Sequence, residues 1–566
     1  MTADFHADLT AKRSRDPALI LSVVVIWVLM ALFIVFPLAK ILVLTFEKGG
    51  HFTLANIFEV LSHRGHYQAF WNSLLLGCLV GVLGTALGFF FAFTAVRTNL
   101  SRGWVLFLDM AIILPLISPP FTTAIAMIFS FGPRGLITYD LFGISQFNVY
   151  GLHSTLFAET ITYFPIAYLT LKAILAGIDP NVEDMAFSLG SSRWRVFRTV
   201  TLPLTVPGLA NAFLLLFAAS LADFATPLIL AGNSFPVLPT EAYLQITGLF
   251  DLKGGAVLSF ALLVPALVVF LLQRFWVGRK YYVTITGKTG AQTEIKSVSP
   301  WAGRLLLGLC ILISLLIVYF YLLLFYASVI VAFGANHQLT LKHYRVVFTE
   351  GLKAISDTLV IAGLGMVLGG LYGVVVGYLV GKKQFFFRTG MEIVSMINYS
   401  LPGTIVGIAY LIAFNDRPIM ITGTALIIVA AYVFRYGAAG IRTTIAILHQ
   451  IDPSIEEASH SLGAGTLTTF RRITIPLILP GLFTGLGVVF IRSMTAISAT
   501  IFLVSINWTL ITVRILEKMT ELELGVASAF SMLVVAIVLV VTAAIGVFLK
   551  LFRSPGAPSV SSLLGG

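Results

Sequence analysis

The sequence predicts an all-α membrane protein with twelve transmembrane helices, arranged as two parallel six-helix repeats that each carry a cytoplasmic helix-turn-helix. Three observations lead to this fold class. The chain of 566 residues is 58% hydrophobic and only 11% charged, which is more apolar surface than a soluble domain can remove from water. Twelve charge-poor runs are long enough to cross a bilayer core of about 30 Å as helices. A polar segment inside this apolar chain also occurs twice.

The charge-poor runs divide equally between the two halves of the chain. The predicted spans of the first half are 19–46, 70–96, 105–131, 151–176, 204–231 and 255–276. Those of the second half are 303–332, 355–381, 391–414, 421–447, 477–504 and 526–551. An even number of spans keeps both repeats in the same orientation, so an axis along the membrane normal relates them. The first run is too long for the apolar core of a signal peptide and lacks a cleavage pattern, so we expect it to be retained.

The predicted domains follow these repeats. They are a cytoplasmic N-terminal tail (1–18), a first six-helix repeat (19–276), a polar cytoplasmic linker (277–302), a second six-helix repeat (303–552) and a flexible C-terminal tail (553–566). Glycines recur at a spacing of about four residues in the second span of each half, a pattern that predicts close helix packing.

The net charge of +11 is explained by membrane orientation and does not indicate nucleic-acid binding. Lys and Arg concentrate in alternate connections between the spans, as the positive-inside rule requires. This pattern predicts a multi-pass membrane protein in contact with the lipid bilayer, with both termini and both polar segments in the cytoplasm. Cys78 and Cys310 lie in apolar runs without disulfide spacing, so we expect no disulfide.

The repeated polar segments are residues 178–208 and 451–481, here the first and second repeated segments. Their aspartates, glycines and prolines correspond at a constant separation of 273 positions, as in Asp179 and Asp452. Each Asp-Pro pair predicts a capped helix start, and Gly190 and Gly463 predict its left-handed stop. Val182, Met185, Ala186 and Leu189 form an apolar stripe, as do Ile455, Ala458, Ser459 and Leu462.

A second short helix is predicted at 192–199 and at 465–472, with Leu202-Pro203 and Ile475-Pro476 expected to break it before the next span. Each repeated segment would then be a helix-turn-helix tied to a transmembrane helix, a geometry that can transmit force from a partner. The alternative is a structured loop whose charges serve only the positive-inside rule.

The repeated segments resemble the signature loop of permeases in binding-protein-dependent ABC importers, a Glu-Ala-Ala run followed by a glycine and then Ile-x-Leu-Pro. The second segment has Glu457-Ala458-Ser459, Gly463 and Ile473-Thr474-Ile475-Pro476. The first has Asp184-Met185-Ala186, Gly190 and Val200-Thr201-Leu202-Pro203, and it departs from the pattern most at the bulky Met185. The resemblance covers nearly the whole chain, and it implies that the membrane is the bacterial inner (cytoplasmic) membrane.

The resemblance implies that the repeated segments are ATPase-coupling loops. In the first segment the implied coupling residues are Glu183, Asp184, Met185, Ala186, Gly190, Leu202 and Pro203. In the second they are Glu456, Glu457, Ala458, Ser459, Gly463, Ile475 and Pro476. The implied partners are two copies of a cytoplasmic ABC ATPase, which would hold the ATP and magnesium, and a periplasmic solute-binding protein.

Two further stretches, 221–243 and 490–505, look like the fused permeases of ferric-iron importers and their relatives for phosphonates and phosphorylated sugars. The resemblance therefore implies ferric iron as cargo. A phosphonate such as 2-aminoethylphosphonate, or a phosphorylated sugar, is the alternative within the same importer class.

The candidate translocation path carries charge at membrane depth, which is costly and usually faces a cavity or a partner. In the family the fifth spans line the path, and here they contain Asp223 and Arg492. Arg492 is expected to attract an anionic cargo such as a phosphonate, a phosphorylated sugar or an anion-chelated ferric ion. The alternatives are a structural Asp–Arg pair and a snorkelling arginine. Arg435, Tyr163 and Tyr436 on the fourth spans are further candidates, although the two tyrosines are repeat partners, which also fits packing.

No enzyme or metal motif is complete in the sequence. Gly287-Lys288-Thr289 lacks the upstream glycine of a phosphate-binding loop, since Tyr282 stands there. His63 and His66 have no further metal ligands nearby. An ion-coupled secondary transporter stays an alternative, but it needs intramembrane carboxylates, and the sequence offers few beyond Glu159 and Asp223. A membrane scaffold or receptor is disfavoured because no sensing domain is evident.

Overall fold

The computed structural model describes residues 17–277, 298–449 and 451–551. The predicted N-terminal tail, linker and C-terminal tail lie almost wholly outside these residues, so the predicted domain boundaries stay predictions. The described chain is almost entirely helical.

The first half begins with a long helix in two parts joined by a π-helical turn (Ala31–Val35), and π turns also occur at Leu136–Leu141, Phe197–Thr201 and Leu272–Val277. Its helices are α1 (Pro17–Met30), α2 (Phe36–Phe46), α3 (Ala55–Leu61), α4 (Arg64–Arg97), α5 (Arg102–Ile117), α6 (Thr122–Phe131), α7 (Leu152–Ala176), α8 (Pro180–Ser188), α9 (Arg193–Val196), α10 (Leu202–Ala222), α11 (Ala225–Leu230), α12 (Leu238–Thr247) and α13 (Leu252–Leu271).

The second half repeats this order, with one π turn at Phe470–Thr474. Its helices are α14 (Pro300–Ser328), α15 (Lys342–Thr349), α16 (Leu352–Lys382), α17 (Arg388–Ser400), α18 (Gly403–Phe414), α19 (Ala425–Leu448), α20 (Pro453–Ser461), α21 (Thr466–Thr469), α22 (Ile475–Met494), α23 (Ile511–Thr520) and α24 (Leu524–Leu551). Short 3₁₀ turns lie at Gly232–Ser234 and Thr500–Phe502.

A small antiparallel hairpin follows the first span of each half. The first pairs β1 (Glu47–Lys48) with β2 (His51–Phe52), and Glu47 lies opposite Phe52. The second pairs β3 (Ile330–Ala332) with β4 (Asn336–Leu339), and Ile330 lies opposite Leu339. The hairpins occupy equivalent places in the two repeats, so the internal duplication extends to the connections outside the spans.

The number of spans agrees with the predicted all-α membrane fold. Among the described residues, eight helices alone are long and apolar enough to cross a membrane, and the count reaches twelve if each of four bent helix pairs is one span. The third span of each half, however, is not the single helix that the sequence predicts. Helix α5 meets the segment 122–141 at 103°, and α17 meets α18 at 107°. Proline explains both breaks, because Pro119, Pro120 and Pro402 stand between the paired helices and cannot donate a helical hydrogen bond.

The glycine-rich second spans form the centre of each repeat, as the spacing predicts. Helix α4 packs against α7 and α10, and α16 packs against α19 and α22. A Cβ atom added at Gly88 would lie 2.6 Å from Cβ of Ala167, and one added at Gly373 would lie 2.9 Å from Cα of Gly440. Both contacts require glycine, which confirms the predicted packing role.

Substitution at this contact is expected to destabilise the second repeat. Gly373→Leu forces α16 away from α19 and should cost about 1–3 kcal/mol of unfolding free energy, the usual effect of overpacking. The measurement is the thermal unfolding midpoint of the protein in detergent. Gly363→Leu is the matched control, because a Cβ added at Gly363 of the same helix meets nothing within 4 Å. Equal midpoints for the two variants would contradict this packing role.

The two halves are interlocked through their first spans. Tyr410 of α18 donates a hydrogen bond to the carbonyl oxygen of Phe33, in the turn between α1 and α2, over 2.6 Å. In the equivalent contact, the hydroxyls of Ser118 after α5 and Tyr321 of α14 lie 2.6 Å apart. The first span of each repeat therefore packs on the broken third span of the other repeat, and a cavity lies between the halves.

Candidate functional site

The repeated segments start with the predicted caps. The carboxylate of Asp179 accepts a hydrogen bond from the backbone N–H of Asn181 over 2.9 Å, and Asp452 accepts one from Ser454 over 2.9 Å. The hydrogen bonds from Ser454 hold the pKa of Asp452 below its ordinary value. Both helices thus begin where the sequence predicts.

The predicted glycine stops are also confirmed. Gly190 has φ = +81° and Gly463 has φ = +84°, in the left-handed region that glycine tolerates best. The chain then turns back, with Ser191 N–H donating to Ala186 O over 3.1 Å and Ala464 N–H donating to Ser459 O over 3.1 Å. These bonds close the end of each helix.

The predicted break after the second short helix is wrong. Helices α9 and α21 are one turn long and continue through the π turns Phe197–Thr201 and Phe470–Thr474 directly into α10 and α22. Proline in a regular α-helix interior loses a backbone hydrogen bond, and its ring clashes with the preceding turn. The wider π turn before Pro203 and Pro476 leaves room for the proline ring and changes the local hydrogen-bond pattern, so the helix continues. Each repeated segment is therefore continuous with a transmembrane helix, a tighter connection than the sequence predicts.

Three of the four residues in each apolar stripe are exposed, and the exceptions are Ala186 and Ser459. In the first segment Met185 is 65% exposed and Leu189 is 86% exposed, with Val182 exposed beside them. In the second, Leu462 is 89% exposed and Ile455 is also exposed. Exposed apolar side chains grouped on a short rigid element are typical of a surface that another protein covers.

The two adjacent acids of each segment point in opposite directions. Asp184 and Glu457 are exposed, whereas Glu183 is buried and forms an ion pair with Arg97 at the end of α4, with 3.2 Å between Nη2 and Oε1. Both side chains are 0% exposed. Thr201 Oγ1 also donates a hydrogen bond to Glu183 Oε1 over 2.7 Å. Helix α8 is thereby fixed to α4 on one side and to the π turn before α10 on the other.

The second repeat contains a weaker version of this arrangement. Lys382 at the end of α16 lies 3.8 Å from Glu456, with the side chains 15% and 19% exposed, and Thr474 donates to Glu456 over 3.2 Å. The basic and threonine partners were not predicted. The signal was present in the sequence, because Arg97 and Lys382 are basic residues at the ends of the two predicted second spans, and Thr201 and Thr474 are separated by the same 273 positions as Asp179 and Asp452.

The remaining predicted coupling residues divide between surface and interior. Ala458, Gly190, Gly463, Pro203 and Pro476 are exposed. Ala186, Leu202 and Ile475 are half-buried. Ser459 is buried, and its hydroxyl lies 2.9 Å from that of Thr469, which joins α20 to α21.

A cavity of about 870 Å³ lies between the repeats, and residues of both halves line it. It extends from Ile178 and Val182 in the first repeated segment to Arg492 at the end of α22. Pro120 and Leu401, which lie at the breaks in the two third spans, also line the cavity. Irregular backbone at membrane depth is tolerated where it lines a cavity, and such breaks commonly mark the binding region of a transporter.

Four of the five predicted path residues line this cavity: Tyr163, Arg435, Tyr436 and Arg492. Asp223 is 3% exposed and does not, because its carboxylate accepts hydrogen bonds from the backbone N–H groups of Ala225 and Thr226 over 3.0 and 3.2 Å. The structural ion pair between Asp223 and Arg492, which the sequence left open as an alternative, does not form among the described residues. Tyr399 and Arg442 also line the cavity, and neither was predicted.

A family model described as "Binding-protein-dependent transport system inner membrane component" matches residues 84–280 and 373–554. The chain belongs to this family. The two matches begin at Gly84 in α4 and at Gly373 in α16, and each includes one repeated segment. The predicted resemblance, the two-repeat organisation and the multi-pass inner-membrane protein are therefore confirmed, and a permease of this family works with a solute-binding protein.

Curated members of the family match over most of the chain. The chain is 32% identical to "Ferric transport system permease protein FbpB" of Actinobacillus pleuropneumoniae over 93% of this chain and 77% of that protein. It is 34% identical to a putative ferric transport permease of Haemophilus influenzae over 87% of this chain and 78% of that protein. The Escherichia coli molybdenum permease ModB is 32% identical over 38% of this chain and 93% of its own length, so this shorter permease corresponds to a part of the present chain.

Proposed function

We propose that this permease imports ferric iron, delivered by a solute-binding protein, in a cycle driven by two copies of a separate ABC ATPase. The observation that carries the coupling part of this proposal is the pair of exposed helices α8 and α20, each joined by a glycine turn and a one-turn helix to a cavity-lining helix. Movement of a partner docked on α8 would pass through α9 into α10, and movement on α20 would pass through α21 into α22.

The stoichiometry follows from the duplication. Two equivalent segments present two equivalent surfaces, so one ATPase subunit would dock on each. ATP and magnesium would bind these partners, and this chain would contribute no catalytic residue. The positive-inside pattern supports a cytoplasmic location for both segments and both termini. The solute-binding protein would then dock on the opposite, periplasmic face.

The assignment of ferric iron is supported by two relatives that are named as ferric transport permeases and that match over 93% and 87% of this chain. The experiment is reconstitution of the permease with its ATPase in liposomes. The solute-binding protein is supplied on the periplasmic face and ATP on the cytoplasmic face. ATP-dependent accumulation of ⁵⁵Fe is the expected result. Uptake of a phosphonate or a phosphorylated sugar in place of iron would contradict the assignment, and gradient-driven uptake by the isolated permease would contradict the coupling.

Arg492 is expected to be required for transport but not for assembly. Arg492→Ala removes a guanidinium that lines the cavity without a carboxylate partner among the described residues, so the complex should form and ⁵⁵Fe uptake should fall. Co-purification with the ATPase measures assembly, and initial uptake rates measure transport. Arg345→Ala is the matched control, because Arg345 is exposed on α15 and does not line the cavity. Unchanged uptake kinetics in Arg492→Ala would remove this residue from the path.

A further inference from the structure

The cavity between the repeats is positively charged on its walls. Arg435, Arg442 and Arg492 line it, and all three come from the second repeat. None of them forms an ion pair with a carboxylate among the described residues. Unpaired arginines at membrane depth are costly, so their position facing a cavity indicates a function in binding.

Arg435 is held in place by its surroundings. Its guanidinium carbon lies 5.6 Å from the centre of the Tyr436 ring, and a Cβ atom added at Gly403 would lie 2.6 Å from its Nη1 atom. Nη1 is buried and has no hydrogen-bond acceptor among the described residues. A buried charged donor without an acceptor is unfavourable unless a ligand supplies the acceptor.

Arginines outnumber carboxylates in the cavity lining. Asp179 is the one carboxylate that lines it among the described residues, and it caps α8 at the edge of the first repeated segment. The two buried carboxylates of the first repeat do not line the cavity: Glu159 accepts a hydrogen bond from Ser220, and Asp223 accepts from Ala225 and Thr226 and contacts the hydroxyl of the cavity-lining Tyr163. Apart from Asp179, the titratable side chains that line the cavity are the three arginines and the tyrosines Tyr163, Tyr399 and Tyr436.

Such a cavity does not suit a bare trivalent cation. Guanidinium groups repel it, and the described residues contain no group of three His, Cys, Asp or Glu side chains that could hold a metal ion. Guanidinium and phenol groups instead donate charge-assisted hydrogen bonds to the oxygens of an anion. The cavity is thus complementary to oxygen-rich anions, although the relatives are named for a metal.

We propose that iron crosses this permease as a negatively charged complex with an oxyanion chelator, and that the chelating anion enters with the metal in each cycle. This inference rests on the proposed ferric function. Arg435 and Arg492 would contact the anion oxygens, while the metal stays inside its shell of anion oxygens. No redox change or bond to the protein is required for passage.

The test is double-label uptake by the permease–ATPase complex in liposomes, with the solute-binding protein loaded with ⁵⁵Fe and one labelled anion as the sole chelator in each assay. The probes are ³²P-phosphate and ¹⁴C-citrate. Entry of ⁵⁵Fe together with either labelled anion in a fixed ratio is the expected result. Entry of ⁵⁵Fe with neither anion overturns the inference and leaves the ferric function intact. Entry of a labelled anion without ⁵⁵Fe overturns the ferric function and leaves an anion-selective cavity.

Substitutions of the cavity arginines test whether the iron and the anion pass through the cavity together. Arg435→Gln and Arg492→Gln should lower entry of both labels together, by roughly tenfold for the loss of a charge-assisted contact, whereas Arg492→Lys retains the charge and should recover part of the uptake. Arg345→Gln serves as the control outside the cavity. A fall in ⁵⁵Fe entry with unchanged anion entry would overturn the inference, because the two labels would then cross separately.

Discussion

Replacing Glu183 with alanine is expected to have the largest effect of any single substitution in the repeated segments. The change leaves the buried Arg97 guanidinium without this carboxylate and removes the acceptor of Thr201, and breaking a buried ion pair typically costs about 3–5 kcal/mol. Helix α8 should then lose its fixed position against α4 and α10. We expect a lower thermal midpoint and loss of ATP-driven uptake.

The second repeat supplies the matched control for this substitution. Glu456→Ala removes the equivalent acid, whose pair with Lys382 is longer and partly exposed, so the effect on stability should be clearly smaller. The double variant Arg97→Met with Glu183→Leu should recover part of the lost stability, because two apolar side chains can replace a buried pair. Equal effects of Glu183→Ala and Glu456→Ala would show that burial of the first pair does not matter.

The double variant Glu457→Ala with Gly463→Leu is expected to uncouple ATP hydrolysis from transport while leaving the protein in the membrane. Glu457 is exposed on α20, so its loss changes the docking surface without disturbing the interior. A Cβ atom added at Gly463 meets nothing within 4 Å, so leucine acts through the left-handed backbone, at a cost of about 1–2 kcal/mol. The measurement is the ratio of ATP hydrolysed to iron accumulated, which should rise.

Comparison with the first segment tests how closely motif agreement reflects importance. The second segment follows the family pattern more closely, so Gly463→Leu should impair coupling at least as much as Gly190→Leu. The opposite order would show that agreement with the motif does not measure importance in this chain. Replacement of both repeated segments by flexible linkers is the stringent control, since persistent ATP-driven uptake would disprove coupling through them.

Local features of the repeated segments were predictable because short-range chemistry determines them. An Asp before a proline caps a helix wherever the segment lies, and a glycine tolerates a positive φ better than any other residue. Asp179, Asp452, Gly190 and Gly463 all behave in this way. The breaks at Pro203 and Pro476 were mispredicted because a preceding π turn removes the conflict between proline and a continuing helix, and no simple residue pattern predicts such a turn.

The cavity was only partly predictable. Arg435 and Arg492 could be singled out because charge in an apolar span needs a reason, but Arg442 and Tyr399 look ordinary in the sequence, and the structure brings them to the same cavity from separate helices. Asp223 shows the opposite case. Its charge at membrane depth predicted a path residue, whereas the carboxylate caps α11 behind the cavity wall.

The sequence by itself determined the membrane fold class, the duplication and the family, because hydrophobic length, charge placement and a repeated motif are properties of the linear chain. Only the tertiary structure decided which of two neighbouring acids faces the interior. Glu183 and Asp184 are equivalent in charge, and the choice depends on Arg97, which lies far away in the chain and approaches only when α4 packs beside the first repeated segment. The physical reason is that a buried ion pair requires both partners within a few ångströms, and packing alone provides that proximity.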